Sequence, residues 1–248
     1  MAGSIQEDIE QKIGQFLSLT KEDPNHRYWS WNHCYLFFQK FANKAKESNG
    51  NISGGDVDLA CLNLAFYLAS WGMYRGSSFL LQKDYKIYER VIEELTDPKF
   101  GDLWDVGYYD DLLKLENEIS KHHEKIERIF SLRNKIKNLF GELRYMKGER
   151  KERAHPTDTL VTKILLGTMA CVPAYDNYFK IGLREKGVAP FSAFSENSLV
   201  AVLNFCKHVD CNRIKTPIEN SKGMNTGLNY PLMKIMDMYF WSVGSEKE

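Results

Sequence analysis

Apolar side chains recur along this chain at steps of three and four, and that spacing confines most of it to α-helix rather than sheet. Over residues 4–19, Ile5, Ile9, Ile13, Phe16 and Leu17 fall on one side of a helix. The pattern is most sustained in the middle, where Leu115, Ile119, His122, Ile126, Ile129, Arg133, Ile136, Phe140 and Leu143 alternate steps of four and three. Such a period is the seam of a coiled coil, and polar residues at seam positions, here His122 and Arg133, fix its register. A helix over residues 110–147 is long for a compact body, so it either breaks near the His122-His123 pair or packs as a hairpin or dimer arm.

The expected architecture is therefore all-α, a multi-helix globular body with a long central helical arm or hairpin. Residues 1–108 and 154–248 form the body, packed together as one domain, and residues 109–153 form the charged arm. Only seven prolines interrupt 248 residues, which suits helices. Trp29, Trp31, Tyr35, Phe37, Phe38 and Phe41 crowd one helix over 29–45 and mark core. Turn residues predict loops at Asp23-Pro24-Asn25 and over 47–55, where Asn49-Gly50-Asn51 and Gly54-Gly55 occur. Asp56 or Asp58 is placed to cap an apolar helix that runs to Trp71. Gly72 and Gly76 bracket a corner, and Ser77 or Ser78 starts the next helix towards Glu94. Beyond that, Pro156, Pro173, Pro190, Pro217 and Pro231 divide four shorter helices at 157–170, 174–186, 195–208 and 231–243. Ser195 suits an N-cap and Pro231 a first helical turn. The polar stretch 209–229 reads as a long loop, of a length that is often mobile or functional.

Several classes are excluded. A hydrophobic content of 43% argues against disorder. The first ten residues lack the basic start and apolar run of a secretory signal, and the most apolar window, 59–74, carries Asn63, Ser70 and Gly72, which is unlike a membrane span. A cytoplasmic protein that does not enter membranes is expected. Five cysteines without a C-x-x-C pair do not make a disulfide framework. Cys206, His208 and Cys211 form the one metal-like grouping, but a fourth ligand is not evident, so no metal and no cofactor is expected.

Charge is layered beneath a net value of zero. Residues 84–120 hold eleven acidic against four basic side chains, and residues 121–153 hold eleven basic against five acidic. Either the two blocks face one another or form solvated helix faces, or the basic one meets phosphates by displacing their counterions.

Two polar clusters are candidate sites. In WGMYRGSSFLLQKDY, which starts at Trp71, a glycine-flanked turn before a helix presents backbone N–H groups, with Arg75, Ser77, Ser78 and Lys83 as further donors to an anion. Capping by the serines and pairing of Arg75 with an acid are the structural alternative. In the second cluster, which starts at Thr157, Lys163 on an amphipathic helix is followed across Pro173 by Tyr175 and Asp176 at the start of the next helix. This order of lysine and aspartate resembles the helix-hairpin-helix DNA glycosylases, in which a helical Lys and a downstream Asp lie at the damaged-base pocket; by that resemblance Lys163 and Asp176 would be catalytic. The likeness covers about 20 residues and lacks the glycine-containing hairpin that grips DNA. Arg150 and His155 have the R-x4-H spacing of HEPN ribonucleases, a resemblance that implies action on RNA. Together, WGMYRGSSFLLQKDY and TDTLVTKILLGTMACVPAYD resemble an uncharacterised family of bacterial hypothetical proteins, which implies a bacterial source and no particular chemistry.

Three functions are thereby expected in order. The first is a binding protein that recognises nucleic acid or another phosphate-bearing ligand through Trp71, Arg75, Ser77, Ser78, Lys83 and Tyr175. The second is a nucleic-acid-processing enzyme that uses Lys163 and Asp176, or Arg150 and His155. The third is an interaction protein, a homodimer through the seam that begins at Leu115 and ends at Leu143.

Overall fold

The apolar run from Leu160 to Thr168 becomes the central helix of the fold, with all nine residues buried. A helix that is apolar on every side is stable only when other elements surround it. In the computed structural model, which describes residues 2–247 apart from 24, 49, 51, 189–192 and 221, that helix is α7 (Asp158–Thr168). It packs against α2 (Trp29–Glu47), α3 (Gly54–Ser70) and α6 (Glu124–Gly141). Around these lie α1 (Ala2–Glu22), α4 (Glu89–Thr96), the single turn α5 (Asp110–Leu113), α8 (Asn177–Glu185), α9 (Glu196–Cys206) and α10 (Leu232–Ser245). The architecture is all-α, with two small antiparallel hairpins, β1 (Arg144–Lys147) with β2 (Arg150–Arg153), and β3 (Pro217–Glu219) with β4 (Asn225–Asn229). The loop residues Pro24, Asn49 and Asn51 and the break at Pro190 lie outside the described residues.

Local signals place most helix starts. Ser53 rather than an aspartate caps α3, accepting from the Asp56 amide, because the residue just ahead of the first turn is the one whose side chain reaches those amides. Ser78 caps a 3-10 turn over Phe79–Gln82, and Asp84 caps a second over Tyr85–Tyr88, so the expected helix from Ser77 towards Glu94 is divided into two turns and α4. Thr157 caps α7, Asp176 caps α8, and Ser195 closes a capping box with Ser198 on α9. The polar stretch after residue 209 is not a structureless loop, since β3 and β4 pair within it and Tyr230 Oη donates to Asn32 Oδ1 at 2.9 Å.

The central arm is interrupted rather than continuous. Its helical seam breaks at the histidine pair, where His123 caps α6 by accepting from the Lys125 amide. Leu115 and His122 are exposed and lie outside any helix, and the chain beyond Gly141 turns into the β1–β2 hairpin. What remains of the seam faces inward: Ile126, Ile129 and Ile136 are fully buried and Phe140 is 1% exposed, in one core with side chains from both ends of the chain. Arg133 holds Asp158 at the start of α7 at 2.5 Å, alongside Lys137.

The charge blocks face each other along α6. Lys125 pairs with Asp111 at 2.6 Å, Arg128 with Asp102 at 2.7 Å and Lys135 with Glu94 at 2.5 Å. The basic helix is therefore largely neutralised by the acidic block that precedes it. On the opposite side, α8 and α10 cross at glycines, because a Cβ on Gly182 would lie 1.9 Å from the Phe240 carbonyl oxygen and one on Gly244 1.9 Å from that of Tyr178.

Candidate functional site

Trp71 ends α3, and the two candidate clusters meet at this residue without merging. On its inner side is a buried group of four charges. Lys163 reaches from α7 to the end of α3, where its Nζ donates to the Trp71 carbonyl at 3.0 Å and lies 3.5 Å from Asp176 Oδ2. Asp176 in turn accepts from the Phe179 amide at 3.1 Å as the cap of α8. A cation is thus set against a helix C-terminus and an anion against a helix N-terminus, which is the arrangement the two helix dipoles favour. Lys234 and Asp237, one turn apart on α10, pair at 2.8 Å, and Asp237 also accepts from the Ala174 amide at 3.0 Å. The turn between α7 and α8, which includes Ala170 at φ 51, is held by these bonds.

Aromatic faces enclose the group. The Trp71 indole stacks on Tyr28 at 5.4 Å, donates to Ser30 Oγ at 3.0 Å, and has Lys163, Lys234 and Arg27 within 5.6 Å of its ring. Burial pushes the Lys163 amine below the ordinary lysine range, against the pull of Asp176 and Asp237. Burial likewise pushes the Asp176 carboxyl up, opposed by Lys163. The space among Lys163, Asp176, Lys234 and Asp237 is about 10 Å³, room for one water and no substrate. Its chemistry is that of a compensated buried ion network.

The chain that follows Trp71 lines a separate, open cleft of about 360 Å³. One wall is the corner itself, where Gly72 and Gly76 adopt φ +73 and +59, conformations that favour glycine, and present Arg75, Ser77 and Ser78. His155, Thr157, Phe79 and Tyr145 also line the cleft. Arg75 folds back over Gly72, its Nε 3.4 Å from where a Cβ would stand. It is exposed and has no ion pair among the described residues, so the expected alternative of a buried acidic partner does not hold. Ser78 Oγ is engaged as a cap, accepting from the Leu80 amide at 3.4 Å. Thr157 brings the positive end of α7 to the same cleft.

No family model, no curated protein and no solved structure matches the chain, so the site is read from its own chemistry.

The sequence candidates therefore separate. Arg75, Ser77 and Ser78 share the open cleft; Trp71, Lys163 and Asp176 line the closed pocket. Lys83 belongs to neither: its Nζ donates to the Arg144 carbonyl at 2.5 Å and ties down the β1–β2 hairpin. Tyr175 is 1% exposed, packed against Phe179 and Phe194 in the core, and lines neither space. Of the R-x4-H pair, His155 lines the cleft, whereas Arg150 starts β2 and does not. Sequence reasoning missed Lys234 and Asp237. Their signal was a pair of opposite charges three apart inside the apolar run of α10. Among the described residues no three His, Cys, Asp or Glu side chains are grouped to hold a metal ion. No helix there is long and apolar enough to cross a membrane.

Proposed function

We propose that this chain binds a phosphate-bearing ligand in the cleft beside Arg75. The observation that carries this reading is an exposed guanidinium without an acidic partner among the described residues, sharing a 360 Å³ cleft with the Ser77 hydroxyl and His155. A guanidinium offers paired donors matched to phosphate oxygens, and charge-assisted bonds of that kind are about twice as strong as neutral ones. A cytoplasmic setting accords with five cysteines that all stand free, of which Cys61 and Cys171 are pushed up to about 12 by burial.

The enzymatic alternative is supported less well. Base excision by Lys163 and Asp176 needs room for a base where there are about 10 Å³, and Arg150 stands apart from His155's cleft.

Calorimetric titration with inorganic pyrophosphate and with a mononucleotide tests the binding reading. Replacing Arg75 by Ala is expected to weaken both about tenfold to a hundredfold, the scale of a charge-assisted bond. Affinity for the wild-type chain should also fall with added salt. Unchanged affinity in a folded Arg75→Ala chain, or a flat salt response, would sink the proposal.

A further inference from the structure

The eleven basic residues of 121–153 do not share one fate. Those on α6 are consumed by Asp102, Asp111, Glu94 and Asp158. Those on the β1–β2 hairpin are not: of Arg144, Lys147, Arg150, Lys151 and Arg153, only Lys147 has an ion pair among the described residues, with Glu152 at 3.6 Å.

The register shows how the charge is sorted. Arg144 stands opposite Arg153 and Met146 opposite Lys151, so these four side chains share one face, while Tyr145, Glu152, Lys147 and Arg150 share the other. Tyr145 turns its face to the body, packing on Phe79 at 6.3 Å and lining the cleft. The outward face therefore presents Arg144, Lys151 and Arg153, all exposed, with no acid among them. Two arginines directly opposite each other repel, and a hairpin gains nothing for its own stability from that pairing.

The hairpin is nonetheless held firmly. The Gln82 side-chain amide mimics a third strand, donating to the Met146 carbonyl at 2.6 Å and accepting from its amide at 2.7 Å. Lys83 holds the Arg144 carbonyl, and Gly148 at φ +62 closes a two-residue turn. The backbone thus sets these side chains about 5 Å apart across the strands and about 7 Å apart along them. A nucleic-acid strand carries one phosphate per about 3.4 Å of axis, so successive phosphates fall within reach of all three.

We infer that the outward face of the β1–β2 hairpin docks the phosphate backbone of a nucleic acid, so that the cleft's ligand is a nucleotide within a strand. This rests on the cleft being a phosphate site. A lone small anion has no use for a second, separate row of cations.

The test uses the whole chain, an Arg144→Gln/Lys151→Gln/Arg153→Gln variant and Arg75→Gln, with fluorescence anisotropy across a salt series and thermal melts to verify folding. The probes are a short single-stranded oligonucleotide, its duplex, a mononucleotide and vesicles of anionic lipid. The hairpin variant is expected to bind at least one nucleic-acid probe about tenfold more weakly, with a log–log salt slope shallower by about 2, and to bind the mononucleotide as the wild type does. Equal oligonucleotide affinity and slope in wild type and hairpin variant would overturn the inference, and weakening by Arg75→Gln would then leave the cleft reading standing. Binding of the mononucleotide or the vesicles, but of neither nucleic acid, would also overturn it. Loss of oligonucleotide binding in the hairpin variant while Arg75→Gln changes nothing would uphold the docking face and remove the cleft as the nucleotide site.

Discussion

Asp176, which the glycosylase resemblance would make catalytic, is the N-cap of α8 in the structure. Its position just before the first turn of α8 is that of an N-cap, and the bond from the Phe179 amide is that cap. What residue spacing could not supply is its burial, which pushes the carboxyl above the ordinary carboxylate range against the opposing charge of Lys163. Between the ordinary value and the raised one, the folded chain keeps a proton that the unfolded chain has released. Stability from this group is therefore present at low pH and lost as pH rises through that window. Asparagine preserves a cap but has no proton to lose. The stability deficit of Asp176→Asn relative to the native chain is expected to be larger near about pH 4 than near about pH 6. Urea midpoints at the two pH values check this; an equal or reversed deficit would mean that Asp176 ionises as an ordinary carboxylate.

Among elements, the junction of α3, α7, α8 and α10 depends on buried charges, of which Lys163 and Asp176 pair across elements while Lys234 and Asp237 pair within α10. Lys163 serves the end of α3, Asp176 the start of α8, and Asp237 on α10 the turn between α7 and α8. Removing one member strands a buried charge, so Lys163→Met and Asp176→Asn are each expected to cost about 3–5 kcal/mol. The double variant should cost clearly less than the sum, since both charges then disappear together. Chemical denaturation of the four chains measures the coupling, and simple additivity would show that the pair does not interact. The same contrast separates α6 from the hairpin that follows it. Sequence counting put both in one basic block, but the acids of residues 94–111 lie against the helix only.

For the molecule as a whole, the seam that suggested a dimer is filled from within. Ile129→Ala is expected to lower the unfolding free energy by about 2–5 kcal/mol while leaving the sedimentation coefficient unchanged. A shift in sedimentation with little loss of stability would restore the dimer reading. Helix content, the starts at Ser78 and Ser195, the break at the histidine pair and the Gly72–Gly76 corner were legible along the chain, because each depends on residues within a turn or two of one another. The β1–β2 hairpin was not: its strands are short and polar, and they are stabilised by Gln82 and Lys83 more than sixty residues away. Nor was the division of the candidate residues between an open cleft and a closed pocket, since each space is lined by residues far apart in the chain. The sequence by itself determined that this protein is helical and which side chains carry charge. Only the tertiary structure decided which of those charges are neutralised, because a long-range ion pair is set by packing and leaves no periodic mark on the chain.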